Sequence, residues 1–272
     1  MTGRLCVPAM CVALLCLYPF IFSTGGGNTL HTTIAPNTLT DQQIRIVSNQ
    51  RVFFGHQSVG DNIIQGIRDI SASDPRLKLN IVESRHPETV SGPAFIETHV
   101  GQNTDPQSKN ADFLAIVQQG FEGIALLKYC YVDISQDTDV ANVFHAYQAT
   151  VERTRTNNPA VRIVHVTVPL TVADFTATGW LRSLLGRNSA QNDNIKRSQF
   201  NALLRQNYRT ELLFDLADVE STRADGTRSF FKNGSGIAYT LAPEYTTDGG
   251  HLNAEGRRLA AQKLLEVLAS VQ

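Results

Sequence analysis

Cysteine, charge of one sign and internal repeats are scarce in this 272-residue chain, and each shortage excludes a class of protein. Three of its four cysteines precede residue 17, so the part after residue 25 has only Cys130 and cannot form an internal disulfide. Lys and Arg number 24 against 25 Asp and Glu, without a long run of either sign, which argues against a nucleic-acid partner. Stability must therefore come from a core built by the 42% of residues that are hydrophobic.

The N-terminus has the pattern of an export signal. One positive charge at Arg4 precedes Leu5–Phe22, a stretch with no charged side chain, and the small residues Ser23 and Gly25 suit a cleavage site. We predict a signal peptide over residues 1–25 and an exported protein, either periplasmic or extracellular. The apolar stretch is also close to the lower limit of a membrane span, so an N-terminal membrane anchor facing outward stays open, and this segment is the only predicted membrane contact.

Residues 26–40 are polar and predict a flexible lead-in, and a single domain is expected over 41–272. Short apolar stretches alternate with helical periodicity in this domain, which favours parallel strands joined by right-handed crossovers. The predicted fold class is α/β, a three-layer α/β/α sandwich with a five-stranded parallel sheet. The segment 83–109 is predicted to be a loop. The predicted strands are 51–55, 77–82, 123–130, 162–168 and 211–216, and the predicted helices are 41–50, 58–71, 111–119, 138–156, 191–208 and 253–271.

The strongest functional signal lies just before the last predicted helix, where Asp248 and His251 are separated by two glycines. A carboxylate and an imidazole at this spacing can face one site from one loop, and they need only a nucleophile to form a hydrolase site. Ser58 follows the first predicted strand and opens a helix. Sites in parallel sheets form beyond the carboxyl ends of the strands, so these three residues are expected to meet. Alternatively, Ser58 is only a helix N-cap.

In a catalytic site these residues would have distinct roles. His251 would accept the proton of Ser58, and Asp248 would fix the imidazole tautomer. The backbone N–H of Ser58, at a helix N-terminus, would help to stabilise an oxyanion. His56, two residues before the serine, is a candidate for substrate binding.

The alternation, Gly55-His56-Gln57-Ser58 with Gly60, and Asp248-Gly249-Gly250-His251-Leu252-Asn253 with Gly256 resemble the SGNH (GDSL-like) hydrolases. The resemblance covers residues 50–271, although the first motif has one extra residue and no Asp. It implies a flavodoxin-like fold and hydrolysis of carboxylic esters through an acyl-serine intermediate. For an exported member, O-acetyl groups on glycans are plausible substrates.

The family places a Gly after its second strand and an Asn after its third, both as oxyanion donors. Gly101 is the candidate for the glycine, with Gly92 as an alternative. No Asn follows the third predicted strand; Cys130 occupies that position beside Lys128, and a thiol is a poor donor. Asn103 could supply the missing amide. Lys128 and Cys130 stay candidates for the oxyanion or substrate pocket.

No cofactor is expected, and no metal site, because the remaining histidines do not pair with cysteines or carboxylates at ligand spacing. The sequence therefore predicts an exported SGNH-type serine esterase whose partner is a small-molecule or glycan ester. Two alternatives stay open. One is a glycan-binding protein on the same fold with weak or no catalysis, and the other is an O-acyltransferase.

Overall fold

A parallel sheet of five strands lies at the centre of the computed structural model, which describes residues 39–173, 189–234 and 236–271. The strand order is β2-β3-β1-β4-β5, and every pairing is parallel. The prediction of an α/β fold with a five-stranded parallel sheet is confirmed. The strands are β1 (Arg51–His56), β2 (Ile81–Glu83), β3 (Ala94–His99), β4 (Gly123–Leu127) and β5 (Val161–Ile163).

One strand of this sheet was not predicted, and one predicted strand lies outside it. β3 lies inside the segment predicted to be a loop, and it carries Glu97 and His99, polar residues that hid its strand character. The predicted fifth strand is reduced to β7 (Leu213–Phe214), which pairs with β6 (His165–Val166) outside the five-stranded sheet. A further antiparallel hairpin joins β8 (Phe230–Asn233) to β9 (Gly236–Tyr239).

Helices cover both faces of the sheet, as a three-layer sandwich requires. Successive side chains of a strand point to opposite faces, and Phe53 and Phe54 of β1 accordingly belong to two separate apolar clusters. Phe54 packs with residues of the first, second and last helices, and Phe53 with residues of the third, fourth and fifth. The helices are α1 (Asp41–Ser48), α2 (Val59–Ser73), α3 (Pro106–Val117), α4 (Val140–Asn157), α5 (Ser189–Asn207), α6 (Leu216–Ser221) and α7 (Ala254–Ala269).

Contact between α2 and α7 brings together two parts of the chain that are far apart in sequence. Gly66 makes the close approach possible, since a Cβ there would lie 2.4 Å from the carbonyl oxygen of Arg257. Arg257 also forms an ion pair with Asp69 at 2.9 Å. The Leu252 N–H donates to Asn62 Oδ1 at 3.0 Å, so α2 holds the loop that precedes α7.

The predicted signal segment and nearly all of the lead-in lie outside the described residues. Leu39–Gln272 form one compact unit. Within the three described ranges, we find no helix whose length and hydrophobicity would let it cross a bilayer.

Candidate active site

Ser58 occupies a strained turn between β1 and α2. Its φ of 58° and ψ of −111° place a non-glycine residue in a sparsely populated region, a conformation that persists only when its surroundings enforce it. The Gln57 amide provides part of that enforcement, because Nε2 donates to the carbonyl oxygens of Val100 at 3.0 Å and Gly101 at 2.6 Å. The Ser58 side chain makes no capping hydrogen bond to α2, contrary to the N-cap alternative.

The Ser58 hydroxyl instead contacts His251. Oγ lies 2.8 Å from His251 Nε2, and His251 Nδ1 lies 2.6 Å from Asp248 Oδ2. The second carboxylate oxygen, Oδ1, accepts the backbone N–H groups of Gly250 at 2.9 Å and His251 at 2.8 Å. The three side chains therefore form one hydrogen-bonded series, with the imidazole in the middle.

This environment keeps Asp248 negatively charged. The Gly250 N–H and then the His251 side chain hold the pKa of the Asp248 carboxyl well below its usual range. A carboxylate bonded to Nδ1 fixes the neutral imidazole as the Nδ1–H tautomer, which leaves Nε2 free to accept the serine proton. The arrangement can thus activate Ser58 as a nucleophile.

Tyr131 lies beside this hydrogen-bonded series, and the sequence motifs did not identify it. Its ring lies edge-on to the His251 ring at 5.8 Å. Burial and then the Asp248 charge raise the pKa of the phenol, so Tyr131 remains a hydrogen-bond donor at neutral pH. Arg197 Nε donates to the Tyr131 carbonyl oxygen at 2.9 Å, and its guanidinium lies 5.6 Å from the ring.

Gly101 does not match its predicted role. Its backbone N–H donates to Asp112 Oδ2 at 2.9 Å and so is not free to bind an oxyanion. The loop after β3 brings Gly101 against the start of α3, where a Cβ on residue 101 would lie 2.4 Å from the Lys109 backbone nitrogen. Close packing, rather than an open donor, explains this glycine.

Lys128 and Cys130 have partners inside the protein, and their role in the pocket stays a prediction. Both are fully buried. Lys128 Nζ donates to the Tyr129 carbonyl oxygen at 3.1 Å, and the Cys130 thiol donates to the Gln57 carbonyl oxygen at 3.4 Å. The Cys130 side chain therefore contacts the backbone of Gln57, the residue before Ser58.

Asn103 lies at the surface, above a buried ion pair. Lys109 and Asp133 have fully buried side chains and pair at 2.5 Å, and Lys109 Nζ also donates to Asn103 Oδ1 at 3.1 Å. Asp133 accepts the backbone N–H groups of Cys130 at 2.6 Å and Thr104 at 2.8 Å. This network joins the loops after β3 and β4, and it occupies the oxygen of Asn103. The role of Asn103 as a donor stays a prediction.

His56 is turned away from the serine hydroxyl. It is fully buried, and its Nε2 lies 3.1 Å from Glu97 Oε2. The role of His56 in substrate binding stays a prediction. The side chain lies instead beside Asp61 and His99, in a group of potential metal ligands that the expectation of no metal site did not foresee.

Comparison with known proteins gives likenesses in structure alone. No family model matches the chain, and no curated protein matches it. It is similar to a mutant acetyl esterase with acetate ion, 13% identical at a TM-score of 0.49, covering 81% of this chain and 99% of that one. A carbohydrate esterase family 3 protein from Talaromyces cellulolyticus is 14% identical at 0.46, covering 81% and 99%. The periplasmic domain of a lipopolysaccharide acetyltransferase from Salmonella ser. Paratyphi A is 12% identical at 0.46, covering 80% and 83%.

At these identities and TM-scores the likenesses carry no argument about activity. The chemistry of the site has to be argued from Ser58, His251 and Asp248 themselves.

Proposed function

We propose that this protein is a serine esterase, a divergent SGNH hydrolase that cleaves carboxylic esters through an acyl-Ser58 intermediate. One observation carries the proposal: Ser58 Oγ, His251 and Asp248 are linked by hydrogen bonds of 2.8 and 2.6 Å. The strained backbone at Ser58 adds support, because such strain is concentrated at functional sites.

The reaction divides into two acyl transfers. Ser58 Oγ attacks the ester carbonyl carbon while its proton passes to His251 Nε2, and Asp248 stabilises the imidazolium. The intermediate then collapses, the C–O bond to the alcohol breaks, and His251 returns the proton to the leaving oxygen. Water repeats these steps on the acyl-enzyme, releasing the carboxylic acid and restoring Ser58.

The oxyanion that forms during the attack needs hydrogen-bond donors on the side of Ser58 away from Asp248. The Ser58 backbone N–H, at the start of α2, donates to no protein acceptor among the described residues and is the first donor we assign. Two side chains are candidates for a second: Tyr131, whose ring lies against His251, and Asn103, whose oxygen is held by Lys109. An Asn held by its oxygen has its NH2 group left to donate.

The substrate class and location are inferred from the sequence. The uncharged stretch near the N-terminus suits an exported enzyme. Esters that an exported enzyme can meet include O-acetyl groups on glycans. We therefore propose acetylated glycans as the first substrates to test, beside simple aryl esters.

The test compares the parent chain with Ser58→Ala on p-nitrophenyl esters and acetylated glycans. We expect turnover in the parent and a loss of at least about 10⁴-fold in the variant, since removing the nucleophile of a triad costs that much or more. Ser73→Ala is the matched control, because Ser73 lies at the exposed far end of the same helix and its hydroxyl, among the described residues, bonds only to the Ile70 carbonyl oxygen. It should keep full activity.

Other outcomes separate the alternatives. Ester consumption that requires a sugar acceptor would indicate an acyltransferase, and glycan binding without turnover would indicate a binding protein. Full activity in Ser58→Ala would overturn the assignment of the nucleophile.

A further inference from the structure

Three potential metal ligands from three separate elements converge beside the turn that carries Ser58. His56 ends β1, Asp61 lies in the first turn of α2, and His99 ends β3. One ligand atom from each lies within 4.8 Å of the other two. Asp61 Oδ1 is 2.8 Å from His99 Nε2 and 3.9 Å from His56 Nδ1.

His56 is the ligand that the fold prepares most completely. Its Nε2 lies 3.1 Å from Glu97 Oε2, and a carboxylate acceptor requires Nε2 to carry the proton. Nδ1 then carries no proton and has a free lone pair. This atom is buried and has no hydrogen-bond partner among the described residues. A buried polar atom without a partner is costly, so its presence calls for an explanation.

The first turn of α2 packs closely against the His56 side chain. A Cβ on residue 60 would lie 2.4 Å from His56 Nδ1, so only glycine fits at Gly60.

Glu97 provides the outer support that metal-binding histidines have. Such histidines donate their second ring N–H to a carboxylate, which fixes the tautomer and orients the ring. Glu97 is itself buried, and its other oxygen lies 3.8 Å from Arg68. The Glu97–His56 pair therefore has the form of the first two members of a carboxylate–histidine–metal triad. Nδ1 is the atom at which the metal would bind.

We propose that His56 Nδ1, His99 Nε2 and Asp61 form a binding site for a divalent transition-metal ion such as Zn²⁺. Two imidazoles and one carboxylate favour Zn²⁺ and its first-row neighbours over Mg²⁺ and Ca²⁺, which prefer oxygen ligands. Three protein ligands leave a fourth position of a tetrahedral ion for water or another ligand.

Little movement is needed to admit the ion. Ligand atoms around tetrahedral Zn²⁺ lie about 3.3 Å apart, given bonds of about 2.0–2.1 Å. Asp61 and His99 have side chains that are 51% and 60% exposed, so they can exchange their direct contact for the ion while His56 stays fixed. The bound ion would join β1, β3 and α2 around the Ser58 turn. This inference does not depend on the proposed esterase activity.

Zn²⁺ titration by calorimetry tests the proposal in the full-length chain. Cys6, Cys11 and Cys16 are replaced by Ser in every sample, so that their thiolates do not bind the ion. We expect one Zn²⁺ per chain with micromolar affinity or better, undiminished by excess Mg²⁺, and a rise in Tm on binding. The zinc X-ray absorption spectrum should show nitrogen and oxygen ligands without sulfur.

Three variants locate the site. His99→Ala removes an exposed ligand and should weaken binding by more than about 100-fold, because even a change in the outer support of a ligand costs 10–100-fold. Glu97→Gln should weaken binding by about 10–100-fold. His86→Ala is the matched control, since His86 is exposed and lies 3.4 Å from Glu88 in a pair of the same type, and it should leave the affinity unchanged.

The proposal is overturned if the parent shows no stoichiometric binding at these concentrations, or if His99→Ala binds Zn²⁺ as tightly as His86→Ala. Circular dichroism of each variant accompanies the titration. An unfolded His99→Ala would also contradict the account, because an exposed His–Asp pair contributes little to stability.

Discussion

The two sides of Ser58 hold their charges in opposite ways. On one side, Asp248 and His251 pair with side chains that are 55% and 43% exposed, within a loop of four residues. On the other side, Lys109 and Asp133 pair with both side chains fully buried, and they join two loops. The exposed pair is in contact with solvent, whereas each member of the buried pair depends on the other to balance its charge. We therefore expect proton transfer on the first side and rigid support on the second.

The largest effect among the charged groups is expected at Asp248. Asp248→Asn should lower kcat by about 10⁴-fold while leaving the fold unchanged, because an amide in place of the carboxylate favours the wrong imidazole tautomer. Ester turnover and circular dichroism measure the two parts of this statement. Asp69→Asn, which changes a carboxylate that pairs with Arg257 and accepts from Gln65, should keep its activity. Equal losses in both variants would mean that Asp248 has no special role.

A smaller effect should identify the second oxyanion donor. Tyr131→Phe removes only the hydroxyl and keeps the ring against His251, and Asn103→Ala removes only the amide. Loss of the true donor should lower kcat by about 10²–10³-fold with little change in KM, the signature of an interaction made in the transition state. If neither variant changes kcat, the oxyanion is stabilised by backbone groups alone.

The buried side should respond in stability. Lys109→Met leaves the Asp133 carboxylate buried without its counter-ion and should lower the free energy of unfolding by about 3–5 kcal/mol. Lys263→Met is the control, since Lys263 pairs with Glu266 at 3.5 Å with a side chain that is 49% exposed, and it should cost about 0–1 kcal/mol. Urea unfolding measures both. Similar costs would remove the distinction between the two sides.

The smallest effect concerns pH. The pKa of Asp248 is lower in the folded state than its unperturbed value, so this carboxylate stabilises the fold above the unfolded pKa, and that contribution disappears as the pH falls through the folded pKa. Because Asp248 is more than half exposed, we expect at most about 1 kcal/mol. Urea unfolding of the parent and Asp248→Asn should therefore differ at pH 7 and converge at strongly acidic pH. A constant difference would contradict this sign.

The site could be predicted where contacts are local or follow from strand topology. Asp248 and His251 lie three residues apart, and Ser58 follows a central strand, so the sheet rule placed them together. Lys128 and Cys130 follow β4 in the same way, but whether a side chain turns inward depends on partners that spacing does not reveal. For Cys130 that partner is the carbonyl oxygen of Gln57.

The remaining errors share a cause in long-range pairing of polar groups. β3 reads as a loop because its polar residues find buried partners only after folding, Glu97 with His56 among them. Gly101 looked like an open donor, but Asp112, in the next helix, accepts its N–H. Likewise, sequence spacing does not predict that His56, Asp61 and His99 converge, because they lie at the ends of two strands and the start of a helix.

Covalent labelling of the nucleophile tests the central claim most directly. A serine-directed phosphonate is incubated with the parent chain, and the labelled peptide is identified by mass spectrometry. The account predicts a single adduct on Ser58, abolished by His251→Ala, because Ser58 depends on His251 Nε2 as its base. Labelling of another residue, or equal labelling without His251, would contradict it.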